Sequence, residues 1–468
     1  DKGTEFHFDE TESYNGDFYY SGAAPGVFLT KMISANKKDT ITFHYTGFSK
    51  LNGYPSESYT RYDDIYDNGT VPASVTGHSQ FSTLHTEQRI YIVKRLSEIR
   101  WREGKVVFNL VGGNDRVSNI QILNKDAVVI KTIQLVMSVL DNAYSVSHPN
   151  NYKLDTLKFK DRNNKDVEKY AFDYYGSGNF NRMSRDFWGY RNGSTQTHGV
   201  PSYNNVLIRT PPSGSGYITA GSGAYRGSGL SSRAGVLSKI TYPTGGTTEF
   251  LYELNRFMWH NISHDGNGLR IAEIRTTGTD GQVQFKTYRY GVNESGYGTI
   301  SFVPEMYDMT HETRFLTDII VSTTQPSTAY GYARRIFSSE VLPELAYMLN
   351  EPVYYSEVAE YTGTLNSNIG KTVYKYTWGN YANTILGSNP TPTLNQLPGH
   401  MSLDTALIPR TYIREFNLWN EFTLGEEAYY KNNGNNTYQM VRKKNYYYTR
   451  AITDTVNGTH IYKFLEVT

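Results

Sequence analysis

Asp63, Asp64 and Asp67 stand just ahead of Asn68-Gly69, and three carboxylates crowded into one loop would offer the oxygen ligands that calcium takes. A solvated turn uses the same residue types, and the preferred expectation is that the chain binds no metal. His260, His264 and Asp265 lie in WHNISHDGNG, where the spacing would put two imidazoles on one face of a helix. This glycine-rich stretch reads instead as a loop, and a third zinc ligand has no visible source. Asp186-Phe187-Trp188-Gly189-Tyr190 gathers three rings around one glycine. Such a cluster either plugs the interior of a curved sheet, the glycine letting a ring lie across the backbone, or presents a platform on which sugar rings stack. The plug is the expectation; as a platform, the cluster would act through Trp188, Tyr190 and Trp259.

Other fragments fall short of a chemistry. Gly370-Lys371-Thr372 has the ending of a phosphate-binding loop, but Leu365 occupies the place of its first glycine and an alternating strand follows where a helix should open. Gly77-His78-Ser79-Gln80-Phe81 lacks the closing glycine of a nucleophile elbow. The stretch Asp161–Glu168 begins like a calcium loop, yet Lys165 stands at the third ligand position. As a hairpin turn it needs Asn and Asp for their tolerance of positive φ. Glu249, Glu253 and Glu273 lie within hairpins, where an outward charge is the ordinary explanation and a glycosidase pair the rarer one. No catalytic residue and no cofactor is expected, and the chain is read as non-enzymatic.

Composition narrows the classes further. The 468 residues carry 46 basic and 45 acidic side chains, a net charge of +1, so no global field draws in nucleic acid or an anionic membrane. Nucleic acid is not expected as a partner. Cysteine is absent, which removes disulfides, thiolate metal sites and thiol nucleophiles together. No run of apolar residues is long enough to span a bilayer as a helix, and the chain reads as a soluble portion of a longer precursor. Tyrosine dominates the aromatics, 41 against 21 Phe and 5 Trp. A ring that packs on a pleated sheet while its hydroxyl stays wet suits strands with one face half-covered.

The elements that must position these residues are strands. Val27–Tyr45, Leu154–Tyr175, Val236–Tyr252 and Gly268–Tyr290 each place β-branched and aromatic residues at period two on both sides of a polar turn. The turns of the last two are supplied by Gly245, Gly246, Gly278, Asp280 and Gly281. Arg89–Trp101 with Lys105–Val111, and the two halves of Ile120–Leu140, predict further hairpins. Strands are also expected over Val353–Tyr361, over Thr372–Trp378 and from Tyr412 to the end. Residues 1–26 read as an irregular edge and residues 49–83 as a long connection or weak strands. A flexible insertion is expected over about 194–232, a surface connection over 380–409 and one short helix over Ser339–Leu349. A lone hairpin is marginal in water, so serial copies predict an all-β, extended, curved antiparallel sheet forming one continuous module over 1–468.

Taken with the phrases between them, these hairpins resemble the rearrangement-hotspot (RHS) or YD-repeat proteins, in particular the divergent RHS-like surface proteins of bacteria. The likeness is carried by FLTKMISANKKDTITFHY (Phe28–Tyr45), RDFWGYRNG (Arg185–Gly193), KITYPTGGTTEFLYE (Lys239–Glu253) and GLRIAEIRTTGTDGQVQFKTYRYG (Gly268–Gly291), with GKTVYKYTW (Gly370–Trp378) a weaker match. The resemblance implies a hairpin sheet that spirals into a shell and encloses polypeptide. In this chain the Tyr-Asp step is degenerate, Arg61-Tyr62-Asp63 fitting it while most copies end in Tyr-Tyr, Tyr-Arg-Tyr or Tyr-Lys-Tyr, and the family's Asp-Pro-rich self-cleavage segment does not occur. Autoproteolysis is therefore not expected and the shell is expected to be partial. The implied role is to enclose or grip a polypeptide cargo or a partner surface protein, at the cell surface or outside the cell. A glycan is the alternative partner, held by stacked Tyr and Trp, and an all-β glycoside hydrolase is the remoter alternative.

Overall fold

The computed structural model describes residues 3–11, 13–15, 26–52, 55–67, 81–86, 89–111, 116–141, 151–176, 183–210, 214–300, 303, 310–319, 328–340, 353–378, 385–387, 396–397, 400–403, 412–414, 422–435, 437–456 and 459–467. Among them the helical turns are two short 3-10 segments, Leu230–Arg233 and Val292–Glu294. All else that is regular is strand. From the amino end come β1 (Glu5–Thr11), β2 (Ser13–Asn15), β3 (Val27–Ile33), β4 (Thr40–Asn52), β5 (Pro55–Asp67) and β6 (Phe81–Thr86). Successive hairpins follow in β7 (Arg89–Trp101), β8 (Gly104–Val111), β9 (Arg116–Asn124), β10 (Val129–Asp141), β11 (Asn151–Lys160) and β12 (Asp166–Tyr174). Next are β13 (Tyr203–Thr210), β14 (Gly214–Ala220), β15 (Leu237–Thr241), β16 (Thr247–Trp259), β17 (Ile262–Thr277) and β18 (Val283–Tyr290). β19 (Thr310–Ile319), β20 (Thr328–Ser338), β21 (Glu357–Gly363) and β22 (Asn368–Trp378) precede the short β23 (Ile385–Gly387), β24 (Gln396–Leu397), β25 (His400–Leu403) and β26 (Tyr412–Arg414). The chain ends in β27 (Phe422–Asn432), β28 (Tyr438–Asn445), β29 (Tyr447–Val456) and β30 (Thr459–Val467).

One antiparallel sheet takes 18 of these strands. Its ladder runs β1-β3-β4-β7-β8-β9-β10-β11-β12, then β15-β16-β17-β18-β21-β22-β27-β28. Neighbours in space are largely neighbours in sequence, so the ladder is a series of hairpins interrupted by insertions. Two of those insertions find each other: β5, which follows β4, pairs with β20, and a second sheet forms in the order β24-β25-β19-β20-β5-β6.

The amino end is not the irregular edge that the sequence suggested. β1 pairs with β3, while β2, one residue further on, pairs with β7 through Ser13↔Ile92 and Asn15↔Ile90. Those pairings join β1–β2, β3, β4 and β7 in a ring and curl this end of the sheet, with Lys94 Nζ reaching Glu10 Oε2 at 2.6 Å. EFHFDET lacks a strong apolar pattern; the open hydrogen-bonding edges of β3 and β7 make it a strand. For residues 49–83 the strand alternative is the one found among the described residues, in the end of β4 and in β5 and β6. The expected surface connection over 380–409 carries β23, β24 and β25. The expected helix lies outside the described residues from 341 onward.

The segment expected to be a flexible insertion carries the β13–β14 hairpin and part of a core. Val200 and Ala220 pack with Phe337 of β20, flanked by Tyr59 and Tyr203. The glycine turns do what their spacing predicted. Gly245 (φ +91°) and Gly281 (φ +79°) take the left-handed region, and Asp280 Oδ1 accepts the Gln282 N–H at 3.0 Å. The histidine stretch is not a loop: β16 and β17 are joined by a two-residue turn at His260-Asn261, both at positive φ (48° and 62°), with Trp259 facing Ile262.

Most of the sheet is a single layer. Among the described residues only 12 apolar side chains are buried, and nine of them fall in three small separate clusters.

Candidate functional site

Register sorts the side chains of β8–β17 onto two faces. Phe108 faces Ile120, Ile120 faces Ile133 and Ile133 faces Phe159, so one row crosses four strands. Val106 and Ile122 extend it on one side, Leu135 and Leu157 on the other, and Phe172 with Ile240, then Phe250 with Ile274, carry it on to β17. Each of these side chains is half-buried by its neighbours in the sheet, and none reaches full burial. No second layer of described residues covers them. Tyr170 closes the row against Phe159 and Tyr242, ring centres 6.2 and 6.1 Å apart.

The opposite face is polar. Asn109, Asn119, Gln134 and Lys158 form one cross-strand row, and Val107, Gln121, Thr132 and Lys160 the next. The Asn109 amide donates to Asn119 Oδ1 at 2.6 Å and to Gln121 Oε1 at 3.2 Å. An open groove of about 480 Å³ lies over these residues, walled by the β11–β12 turn with Asp161 and Arg162. Further along the face the three candidate glycosidase carboxylates are engaged by cations of the same or a neighbouring strand. Lys239 and Arg275 meet Glu249 at 3.3 and 3.7 Å, Arg275 meets Glu273 at 3.2 Å, and Arg270 meets Glu253 at 2.8 Å. The pairs that cross strands, Lys239–Glu249, Arg275–Glu249 and Arg270–Glu253, hold adjacent strands in register.

The aromatic phrase forms a tight turn organised by Asp186, which is 1% exposed. Its Oδ1 accepts the N–H groups of Trp188 (3.0 Å) and Tyr190 (2.9 Å), and its Oδ2 accepts the Ser228 hydroxyl at 2.6 Å. Burial pushes this carboxyl above its ordinary range, against the pull of those hydrogen bonds. Gly189 sits at φ +90°, and Trp188 meets Phe257 edge-on at 5.7 Å. The rings lie over glycines of β17: a Cβ on Gly266 would come 2.8 Å from the Trp188 ring, and one on Gly268 2.8 Å from the Tyr190 ring. Trp188 and Trp259 both pack against the cluster of Phe257, Ile300 and Val353. Phe187 turns away and lies beneath the Arg226 guanidinium at 5.4 Å. Trp188, Tyr190 and Trp259 are therefore brought together at the β16–β17 hairpin, and Tyr190 is the exposed one.

Sequence reasoning missed the polar lock beside this turn. Glu57 of β5, 2% exposed, accepts the N–H groups of Gly199 and Val200 and the Ser222 hydroxyl on one carboxylate oxygen, with His198 Nδ1 3.1 Å from the other. Arg226 is buried as well and donates to Gly199 O at 3.1 Å. Burial, and then the nearby Arg185 guanidinium, push its pKa down to about 10. A glutamate in a strand and an arginine in a glycine-rich stretch carry no local mark of such a meeting.

Among the described residues no metal centre emerges. Asp63, Asp64 and Asp67 lie along β5, facing Ala333, Tyr332 and Tyr330 of β20, so the loop assumed for them is a paired strand; their side chains lie outside the described residues. His264 stacks on Phe257 (5.6 Å, 14°) and Asp265 pairs with Arg256 at 2.8 Å. Among the described residues no three His, Cys, Asp or Glu side chains gather as metal ligands, and no helix is long and apolar enough to cross a membrane. Comparison with family models finds no match to this chain, and comparison with curated proteins finds none either.

Proposed function

We propose that this chain is a non-enzymatic β-shell module, of the kind the RHS resemblance implies, that grips an apolar stretch of polypeptide on the bare face of its sheet. The observation that carries the reading is the row Phe108-Ile120-Ile133-Phe159, continuous across four strands and covered by no other described layer. Such a surface gains roughly 25 cal/mol per Å² when a partner covers it, and it offers little to a phosphate backbone or a hydroxyl-rich ligand. The occupant is a polypeptide cargo, a partner surface protein or the remainder of a longer precursor. The site of action is the cell surface or the medium beyond it.

An unfolded model chain tests this directly. Fluorescein-labelled, reduced and carboxymethylated lactalbumin is titrated with the protein and with the double variant Ile133→Lys/Phe159→Lys, and binding is read by anisotropy. The intact protein is expected to bind, and the variant to bind at least about tenfold more weakly with its circular dichroism unchanged. Equal binding by both, or none by either, would defeat the reading.

A further inference from the structure

The polar groove on the other face is a separate feature with its own chemistry. Its lining places carboxamides and a hydroxyl in two parallel rows, Asn119 and Gln134 in one, Gln121 and Thr132 in the other, with Lys160 and the apolar Val129 at the margin. The Gln134 amide and the Thr132 hydroxyl make no side-chain hydrogen bond among the described residues, and Gln121 uses only its oxygen, on Asn109. Half-buried donors and acceptors of both signs are thus left for a ligand that presents many hydroxyls.

Charge adds one restriction. Lys158 and Lys160 share Asp166, at 3.0 and 3.6 Å, and Asp161 spends an oxygen on the N–H groups of Asn163 and Lys165 at 2.9 Å each. Arg162, on the groove wall, is exposed and forms no ion pair among the described residues. Adjacent strands lie about 4.8 Å apart, close to the length of one pyranose unit in a linear chain. A chain crossing β9 and β10 therefore meets one carboxamide or hydroxyl group per sugar, with Lys158 or Lys160 following on β11.

We propose that this groove binds a linear oligosaccharide lying across β9–β11, with Gln121, Thr132 and Gln134 taking sugar hydroxyls and Arg162 taking a carboxylate on one ring. The site is independent of the apolar face and of Trp188 and Trp259. Hexamers of galacturonic acid and of cellulose serve as probes in calorimetric titration of the full chain. The acidic hexamer is expected to bind. Gln121→Ala and Gln134→Ala should each weaken it about fivefold, the loss of one ordinary hydrogen bond. Arg162→Ala should remove the preference for the acidic over the neutral hexamer. Ile133→Lys/Phe159→Lys, which tests the other face, should leave sugar binding unchanged. Absence of binding by both hexamers, unchanged affinity in the two glutamine variants with melting temperature preserved, or a carboxymethylated polypeptide binding in the groove instead, would overturn the proposal.

Discussion

The Glu57 carboxylate at the start of β5 accepts the N–H of Val200 at 3.0 Å, a bond that spans 143 residues of sequence. It fastens the segment before β13 to the second sheet, and Ser339 completes the joint by donating its own N–H to Glu57 O at 2.8 Å and accepting the Glu57 N–H on its hydroxyl at 2.9 Å. Replacing Glu57 by Ala strands several buried donors at once. The expected cost is about 3 kcal/mol of stability, read by urea denaturation, with faster amide exchange at Gly199 and Val200. An effect under about 0.5 kcal/mol would mean that water substitutes for the carboxylate.

Trp188 is expected to act as packing. Trp188→Ala removes the edge-on contact with Phe257 and should destabilise the chain by about 3 kcal/mol in chemical denaturation. A variant that loses retention on a sugar affinity gel while keeping its full denaturation midpoint would instead assign the ring to ligand stacking.

Gly268 tests the same packing from the other side. It has φ +84°, and a Cβ there would press on the Tyr190 ring. Gly268→Ala is expected to cost about 2 kcal/mol through backbone strain and ring displacement together. The check is a lowered melting temperature with increased Tyr190 accessibility to nitration.

Alkaline stability should depend on Tyr361. Its hydroxyl donates to Glu294 at 2.7 Å, and burial followed by that carboxylate raises its pKa from 10.0 to about 12. A raised pKa means that the folded state holds the proton more firmly, so the stabilisation is complete below pH 10 and is lost as pH climbs from 10 towards 12. Burial pulls the Lys371 pKa down, but the hydrogen bonds and charges of Glu294 and Tyr361 outweigh it, so Lys371 is raised and shifts stability in the same sense. Tyr361→Phe should flatten the pH dependence of the denaturation midpoint over that interval; a slope identical to that of the intact protein would assign the alkaline transition elsewhere.

How much of this was legible depends on whether a feature is local. The hairpins of Val27–Tyr45 and Gly268–Tyr290, and the division of Ile120–Leu140 at Asn124, follow from period-two alternation and turn residues, and all are strands here. The turn at His260-Asn261 escaped because it lacks glycine, although both residues adopt positive φ. β1 and β2 escaped because partners, not propensity, make them strands. The packing of residues 194–232 escaped for the same reason: Val200 and Ala220 are buried by Phe337 and fixed by Glu57, neither of which a local window can see. The two faces of the sheet needed the register between hairpins, which sets Asn119 beside Gln134 and Ile120 beside Ile133.

Small-angle X-ray scattering of the isolated chain tests the open single-layer sheet most directly. The account predicts a radius of gyration well above the roughly 23 Å of a compact chain of this length, with a pair-distance distribution skewed to long distances. A value near 23 Å with a symmetric distribution would mean that the apolar face is already covered within the chain, and would contradict the account.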